Sequence, residues 1–144
     1  MNRADTAEAL FRQGYSCSQA VLAAFSEELG LDRESALKVA AGFGGGMGRM
    51  AETCGAVTGA VMVLGLRHGS TRADDKAAKE KTYERVREFV ARFKALYGAV
   101  ACRELLGCDI STPLGSQQAR DQQLTTTLCP QFVRGAAEIL EKLL

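Results

Sequence analysis

The amino-acid sequence predicts an all-α fold, a compact single domain of about six to seven helices that includes one long helix. No segment alternates apolar and polar residues with the period of two that a half-buried strand needs, and no Asn-Gly or Asp-Gly pair offers a tight hairpin. Apolar residues instead recur at helical spacing in several segments. A chain of 144 residues, with 47% hydrophobic and 24% charged residues, has the size and composition of one globular domain, residues 1–144.

The first three helices are recognised by their ends. Gly14 ends the first helix and Gly30 ends the second, since glycine readily adopts the left-handed conformation that terminates a helix. Ser16 and Asp32 are predicted to cap the second and third helices, because their side chains accept hydrogen bonds from the free N–H groups of a first turn. These helices are predicted at residues 5–13, 17–29 and 33–41.

A glycine-rich stretch, residues 42–48, separates the third helix from the fourth. It is not a nucleotide-binding loop, because Met47 stands where a GxGxxG motif needs its last glycine and no Lys-Ser or Lys-Thr pair follows. We interpret it as a tight connector whose backbone N–H groups can approach a neighbouring segment or a cluster. Thr53 is predicted to cap the fourth helix, residues 54–66, whose internal glycines indicate close packing against another backbone or a bound group.

The second half of the chain is dominated by one long amphipathic helix of about 25 residues. Pro113 marks a turn-rich loop, whereas Pro130 falls in the first turn of the last helix, where proline is tolerated. The predicted segments are the long helix at residues 73–98, a short helix at 101–106, a loop at 111–115, an unassigned polar stretch at 116–127 and the last helix at 129–143.

The charge balance argues against nucleic-acid and membrane partners. The chain has 18 Lys and Arg and 17 Asp and Glu, so its net charge is only +1. Its longest apolar run, residues 60–64, is far shorter than the roughly 20 residues of a membrane-spanning helix. We recognise no signal peptide and therefore expect a cytoplasmic protein. The glycine-spaced helix faces and apolar stripes are compatible with a homodimer.

Five cysteines are the residues that most indicate chemistry. In a reducing compartment they suggest metal, cluster or redox chemistry more than structural disulfides, although a buried Cys can also act as a small hydrophobic residue. No CxxC pair is present, which excludes thioredoxin-like and zinc-ribbon spacing. Four cysteines stand at predicted helix starts, where free N–H groups and the helix dipole favour a thiolate. We predict that these four thiols meet in space: Cys17, Cys54, Cys102 and Cys129.

These motifs resemble the C_GCAxxG_C_C family, named for its Cys…CGAxxG…Cys…Cys pattern. The matching residues are Cys17, then Cys54-Gly55-Ala56-Val57-Thr58-Gly59, then Cys102 and Cys129, with Gly44-Gly45-Gly46-Met47-Gly48 ahead of the CGAxxG motif. The resemblance covers nearly the whole chain from Tyr15 onward. It implies a small all-helical protein with four characteristic cysteines and a redox role. Cys108 is an extra thiol, and either Cys102 or Cys108 can be the third functional position.

The family pattern is also similar to part of the split-Soret cytochromes, which bind haem c and are associated with an iron–sulfur centre. No CxxCH motif is present in this chain, so haem c attachment is not expected. The resemblance leaves an iron–sulfur cluster open, with the four cysteines as ligands. We expect glycines to lie beside the cofactor or reacting sulfur atoms: Gly44, Gly45, Gly46, Gly55 and Gly59.

The first hypothesis is a redox protein in which Cys17, Cys54, Cys102 and Cys129 either ligate an iron–sulfur or other metal centre for electron transfer or act as a thiol/disulfide centre, with a redox protein as partner. A second hypothesis is a structural or carrier zinc site made by the same cysteines. A third is a non-catalytic helical interaction module with cysteines in its core. His68 is the single histidine, and no Ser/His/Asp or paired-carboxylate arrangement is evident, so whether the protein is an enzyme stays open.

Overall fold

The computed structural model describes residues 2–144, and in that range it confirms an all-α fold. Seven helices have seven residues or more, as the sequence predicts, and an eighth has five. No strand forms among the described residues, and only an isolated antiparallel bridge pairs Thr53 with Ala101. The eight helices are α1 (Arg3–Arg12), α2 (Cys17–Ser26), α3 (Arg33–Ala40), α4 (Gly55–His68), α5 (Lys76–Tyr97), α6 (Cys102–Leu106), α7 (Pro113–Asp121) and α8 (Cys129–Leu143).

Side-chain caps begin several of these helices. Ser16 forms a reciprocal capping box with Gln19 at the start of α2, and Asp32 accepts a hydrogen bond from the Ser35 N–H at the start of α3. Both predicted caps are therefore confirmed. Asp75 caps the long helix α5, which begins at Lys76. The helix ends at Tyr97, because the next residue, Gly98, adopts the left-handed conformation.

Two local predictions are wrong. Thr53 does not cap α4: its backbone takes part in the bridge to Ala101, and Cys54 is the N-cap, without a side-chain capping bond. The loop predicted around Pro113 is instead the start of α7, because Thr112 caps the helix and proline occupies its first position, where no N–H is needed. The remaining polar stretch forms a single helical turn, Leu124–Thr127.

The core is built around α2, which packs against α1, α3, α4 and α8. The α2–α4 contact is close because Gly59 has no side chain: a Cβ there would lie 2.8 Å from the Ser18 carbonyl oxygen. The long helix α5 contributes Phe89 and Phe93, which are fully buried, against α4 and α8. No helix among residues 2–144 is both long and apolar enough to cross a membrane.

Candidate functional site

Four cysteines from four separate parts of the chain line one small cavity of about 30 Å³, a space that suits one or two water molecules. Cys54, Cys102 and Cys129 are buried, and Cys17 is half-buried. All of them are free thiols. The full lining is Cys17, Gly45, Gly46, Cys54, Gly55, Cys102, Leu105, Leu106, Cys129 and Phe132.

Each of the four thiols lies at a helix start. Cys17, Cys102 and Cys129 are the first residues of α2, α6 and α8, and Cys54 is the N-cap of α4. The fold therefore brings four helix starts to one cavity. Phe132, one turn into α8, forms the apolar side of the cavity and packs edge-on against Tyr97 of α5 at 5.1 Å between ring centres.

Backbone hydrogen bonds fix two of the thiols relative to each other. The Cys54 N–H donates to the Val100 carbonyl at 2.7 Å, and the Cys102 N–H donates to the Glu52 carbonyl at 2.5 Å. These bonds tie the segment before α4 to the segment before α6. As a result, Cys54 and Cys102 are held on neighbouring stretches although 48 positions separate them in sequence.

Cys54 is the thiol most disposed to ionise. The hydrogen bond that it accepts from the Cys17 thiol lowers its pKa, and the N–H groups of Ala56 and Val57 in the first turn of α4 act in the same direction, against the opposing effect of burial. The pKa of Cys17 shifts in the opposite direction. Hydrogen bonds to Cys129 and Cys54, together with burial, raise the pKa of Cys17 well above its usual value.

Cys102 favours its protonated form. Burial, followed by the proximity of Cys54, Cys129 and Cys108, raises the pKa of Cys102 to about 12, and the nearby Arg103 guanidinium offsets this only in part. The cavity therefore combines one thiol with a lowered pKa, Cys54, with two thiols whose pKa is raised, Cys17 and Cys102.

Two glycines allow this close approach. A Cβ on Gly55 would lie 2.8 Å from the Ser18 nitrogen and 3.0 Å from the Cys17 Cβ. A Cβ on Gly46 would lie 2.8 Å from the Cys102 Cβ, and Gly46 also has a φ of +67°, a conformation that glycine adopts at little cost. Both positions have to be glycine if the sulfur-bearing segments are to meet.

The predicted site residues fall into two groups. Cys17, Cys54, Cys102 and Cys129 line the cavity together with Gly45, Gly46 and Gly55. Gly44 instead packs against the Ser16 side chain, and Gly59 lies in the α2–α4 contact. Cys108 is buried after α6 but does not line the cavity, so the geometry associates Cys102, not Cys108, with the other three thiols.

Sequence reasoning missed the apolar lining and Arg103. Leu105, Leu106 and Phe132 follow Cys102 and Cys129 by three or four positions, which is the spacing that places side chains on one helix face. That spacing could have identified them. Arg103 hydrogen-bonds to carbonyl groups about 50 positions away in sequence, and no local pattern reveals such a contact.

The fit of a metal centre depends on chemistry and on spacing. Four thiols are the donor set that Zn²⁺ and iron–sulfur clusters prefer. As the side chains stand, however, no three His, Cys, Asp or Glu residues within 2–144 have an arrangement that could hold a metal ion. The donor types suit such a centre, whereas their present spacing does not.

A protein-family model described as "Putative redox-active protein (C_GCAxxG_C_C)" matches residues 15–143. The matched range contains all eight helices except α1. Searches of curated proteins and of solved structures found no match to the chain.

Proposed function

Because the chain belongs to the C_GCAxxG_C_C family of redox-active proteins, we propose that its cavity is a thiol redox centre in which Cys54 and Cys17 cycle between a dithiol and a disulfide. The observation that carries the proposal is that both thiols line one small cavity, where each is close enough to shift the pKa of the other. A neighbouring pair of thiols, one of them disposed to ionise, is the arrangement that thiol–disulfide exchange requires.

The reaction follows from the different acidity of the two thiols. The Cys54 thiolate attacks one sulfur of a substrate disulfide, which forms a mixed disulfide and releases one substrate thiolate. Cys17 then gives its proton to that leaving thiolate and attacks the Cys54 sulfur, which releases the second substrate thiolate. The substrate gains two electrons and the Cys17–Cys54 disulfide forms; a dithiol reductant reverses the change.

Cys129 and Cys102 support this pair in different ways. Cys129 lies beside Cys17 in the cavity and is the largest cause of its raised pKa, so it helps to keep Cys17 protonated until the exchange begins. Cys102, whose pKa is about 12, remains a neutral thiol at neutral pH and adds no second negative charge to the cavity. The apolar side chains of Leu106 and Phe132 limit the entry of water, which favours exchange between sulfur atoms.

A redox titration tests this proposal. Metal-free protein is equilibrated with mixtures of reduced and oxidised dithiothreitol, quenched in acid and assayed for free thiols. We expect wild type to lose two thiols in one step and the Cys17→Ser and Cys54→Ser variants to lose that step. Cys108→Ser is the matched control, since Cys108 is buried but outside the cavity, and it should titrate as wild type does. An unchanged titration of Cys17→Ser and Cys54→Ser would refute the proposal.

Ligation of a metal centre by all four cysteines is the second candidate function, and the convergence of four thiols from four helix starts is the observation that favours it. It requires the side chains to move from their present positions. Anaerobic purification followed by iron, sulfide and zinc analysis tests it. Stoichiometric metal that is retained by Cys108→Ser and lost by Cys102→Ser would support this candidate, whereas a metal-free protein would exclude it.

A further inference from the structure

The segment that closes one side of the cavity has an unusual backbone. Residues 45–49 all have positive φ, between +58° and +67°, and Ala51 follows with +59°. Met47, Arg49 and Ala51 carry a Cβ, which makes this left-handed conformation unfavourable for them, and such residues normally adopt it singly. Contacts from outside the segment must therefore hold it in place.

Backbone hydrogen bonds from Gly48 to Gly42 and from Arg49 to Gly44 hold the start of the segment, and Arg103 supplies the side-chain contacts at its end. Its Nε donates to the Ala51 carbonyl at 3.0 Å, and its Nη2 donates to the Met50 carbonyl at 3.0 Å and to the Glu52 carboxylate at 2.8 Å. The Arg103 backbone N–H also donates to the Ala51 carbonyl. In residues 2–144, no other side chain hydrogen-bonds to the backbone of residues 45–52.

The same segment separates the thiols from solvent. Gly45 and Gly46 face the cavity, whereas Met47, Gly48 and Arg49 are exposed on the outside. The buried thiols are nearly inaccessible: Cys54 is 5% exposed, Cys102 8% and Cys129 9%. Cys17 is half-buried, but a cavity of about 30 Å³ does not admit a thiol reagent or a disulfide to the three buried thiols, so a reactant reaches them only when part of the wall moves.

We infer that Arg103 is a positioning residue that clamps the left-handed segment closed over the cysteine cavity, and that release of this clamp opens the thiols to their reactant. The left-handed segment is the gate, and the hydrogen bonds of the Arg103 guanidinium keep it closed. The inference rests on the proposed function only in taking the cavity thiols as the reacting groups. It concerns access to them and not the disulfide that they form.

Site-resolved alkylation tests the gate. Folded, reduced wild type, Arg103→Met and Arg103→Lys are pulsed with iodoacetamide, and modification of each cysteine is followed by peptide mass spectrometry. Loss of hydrogen bonds from a charged group should raise the rates at the buried Cys54 and Cys129 by about tenfold in Arg103→Met. Arg103→Lys should show a smaller rise, since an ammonium group keeps the charge but not the forked geometry.

Two controls separate the gate from a loss of overall stability. Arg92→Met removes an arginine of equal side-chain exposure, 44% against 43%, that forms an ion pair with Glu88 within α5, and its rates should equal those of wild type. Cys108 should react at the wild-type rate in every variant, because it lies outside the cavity. Cys102 is left out of the comparison since Arg103 influences its pKa directly.

The outcomes are distinct. Unchanged rates at Cys54 and Cys129 in both Arg103 variants would overturn the gate. A parallel rise at Cys108 would overturn it as well, because the variants would then be opening the whole fold. If Arg103→Met does not fold, Arg103→Lys decides alone. None of these results depends on whether Cys17 and Cys54 form a disulfide, which the redox titration measures separately.

Discussion

Gly46 lines the cysteine cavity, and its backbone lies directly against Cys102. A Cβ at this position would lie 2.8 Å from the Cys102 Cβ and 2.6 Å from the Glu52 nitrogen, too close for either contact. Its φ of +67° adds a second requirement for glycine. The position of Cys102 in the cavity therefore depends on the absence of a side chain in a segment that is more than 50 positions earlier in the chain.

The Gly46→Ala variant should lose about 2–4 kcal/mol of unfolding free energy, the sum of left-handed strain and steric overlap. Gly48→Ala is the matched control: its φ is +58°, but a Cβ there has nothing within 4 Å. It should lose only about 1–2 kcal/mol, from strain alone. Urea unfolding of both variants measures the difference, and equal losses would mean that the contact with Cys102 is not tight.

The thiols could be predicted from sequence, whereas the wall beside them could not. The caps and helix starts that place Cys17 and Cys129 are local signals, as is the CGAxxG motif at Cys54. The left-handed segment looks like an ordinary glycine-rich connector, because the side chain that hydrogen-bonds to its end, Arg103, comes from a distant part of the chain. Long-range contacts of this kind override what local sequence indicates.

The central packing element is the pair of helices α2 and α4. A Cβ on Gly59 would lie 2.8 Å from the Ser18 oxygen and 3.2 Å from the Val21 Cβ, so the two backbones touch. The Ser18 hydroxyl, fully buried, turns away from this contact and donates to the Ala40 carbonyl at 2.9 Å, which attaches α3. The crossing carries Cys17 and Cys54 to the same end of the pair.

Two alanine substitutions on α4 should have opposite effects. Gly59→Ala should lower the free energy of unfolding by about 1–3 kcal/mol, because the helices must separate to admit the methyl group. Gly65→Ala should raise it by up to about 1 kcal/mol, since a Cβ there has nothing within 4 Å and alanine favours the helix. Urea unfolding measures both, and a stabilising Gly59→Ala would contradict the close crossing.

The helix boundaries show which sequence signals are sufficient to predict where a helix begins and ends. The caps at Ser16 and Asp32 predicted α2 and α3 within one turn, and the long amphipathic stripe predicted α5. The loop prediction at Pro113 is wrong because the effect of proline depends on its position. Proline breaks a helix when it lies in the interior, but it is favoured at the first helical position, where Pro113 lies. The difference lies in the Thr112 cap that precedes it, a helix-start signal that the sequence itself contains.

At the scale of the whole molecule, ion pairs connect the first helix, α1, to the last helix, α8. Arg134 of α8 contacts Asp5 at 2.9 Å and Glu8 at 3.3 Å, both in α1. The hydrogen bond with Arg134 lowers the pKa of Asp5, and that with Arg12, followed by Arg134, lowers the pKa of Glu8. Helix α1 lies outside the matched family range, and these contacts attach it to α8, which begins at Cys129.

These depressed pKa values fix the sign of a pH dependence. A carboxylate whose pKa is lower in the folded chain stabilises it above the unfolded pKa, about 4, and that stabilisation is lost as the pH falls through the folded value. Arg134→Met should therefore melt below wild type at pH 7, and the gap should narrow as the pH falls from about 5 towards 2. Thermal unfolding at several pH values measures it.

Arg72→Met is the control for that pH series. Arg72 pairs with Asp74 in the exposed turn before α5, where the side chains are 74% and 73% exposed, so its loss should leave the melting temperature near that of wild type at every pH. A gap between Arg134→Met and wild type that stays constant from pH 7 to pH 2 would show that Arg134 acts by packing and not through the two carboxylates.

The central claim is that the fold brings Cys17 and Cys54 together as a redox pair, and a disulfide map of the oxidised, metal-free protein tests it most directly. The protein is oxidised with dithiothreitol disulfide, alkylated under denaturing conditions and analysed by peptide mass spectrometry. The account predicts a Cys17–Cys54 disulfide, with Cys102 and Cys108 alkylated as free thiols. A dominant disulfide that involves Cys108, or a protein in which all five thiols stay free, would contradict it.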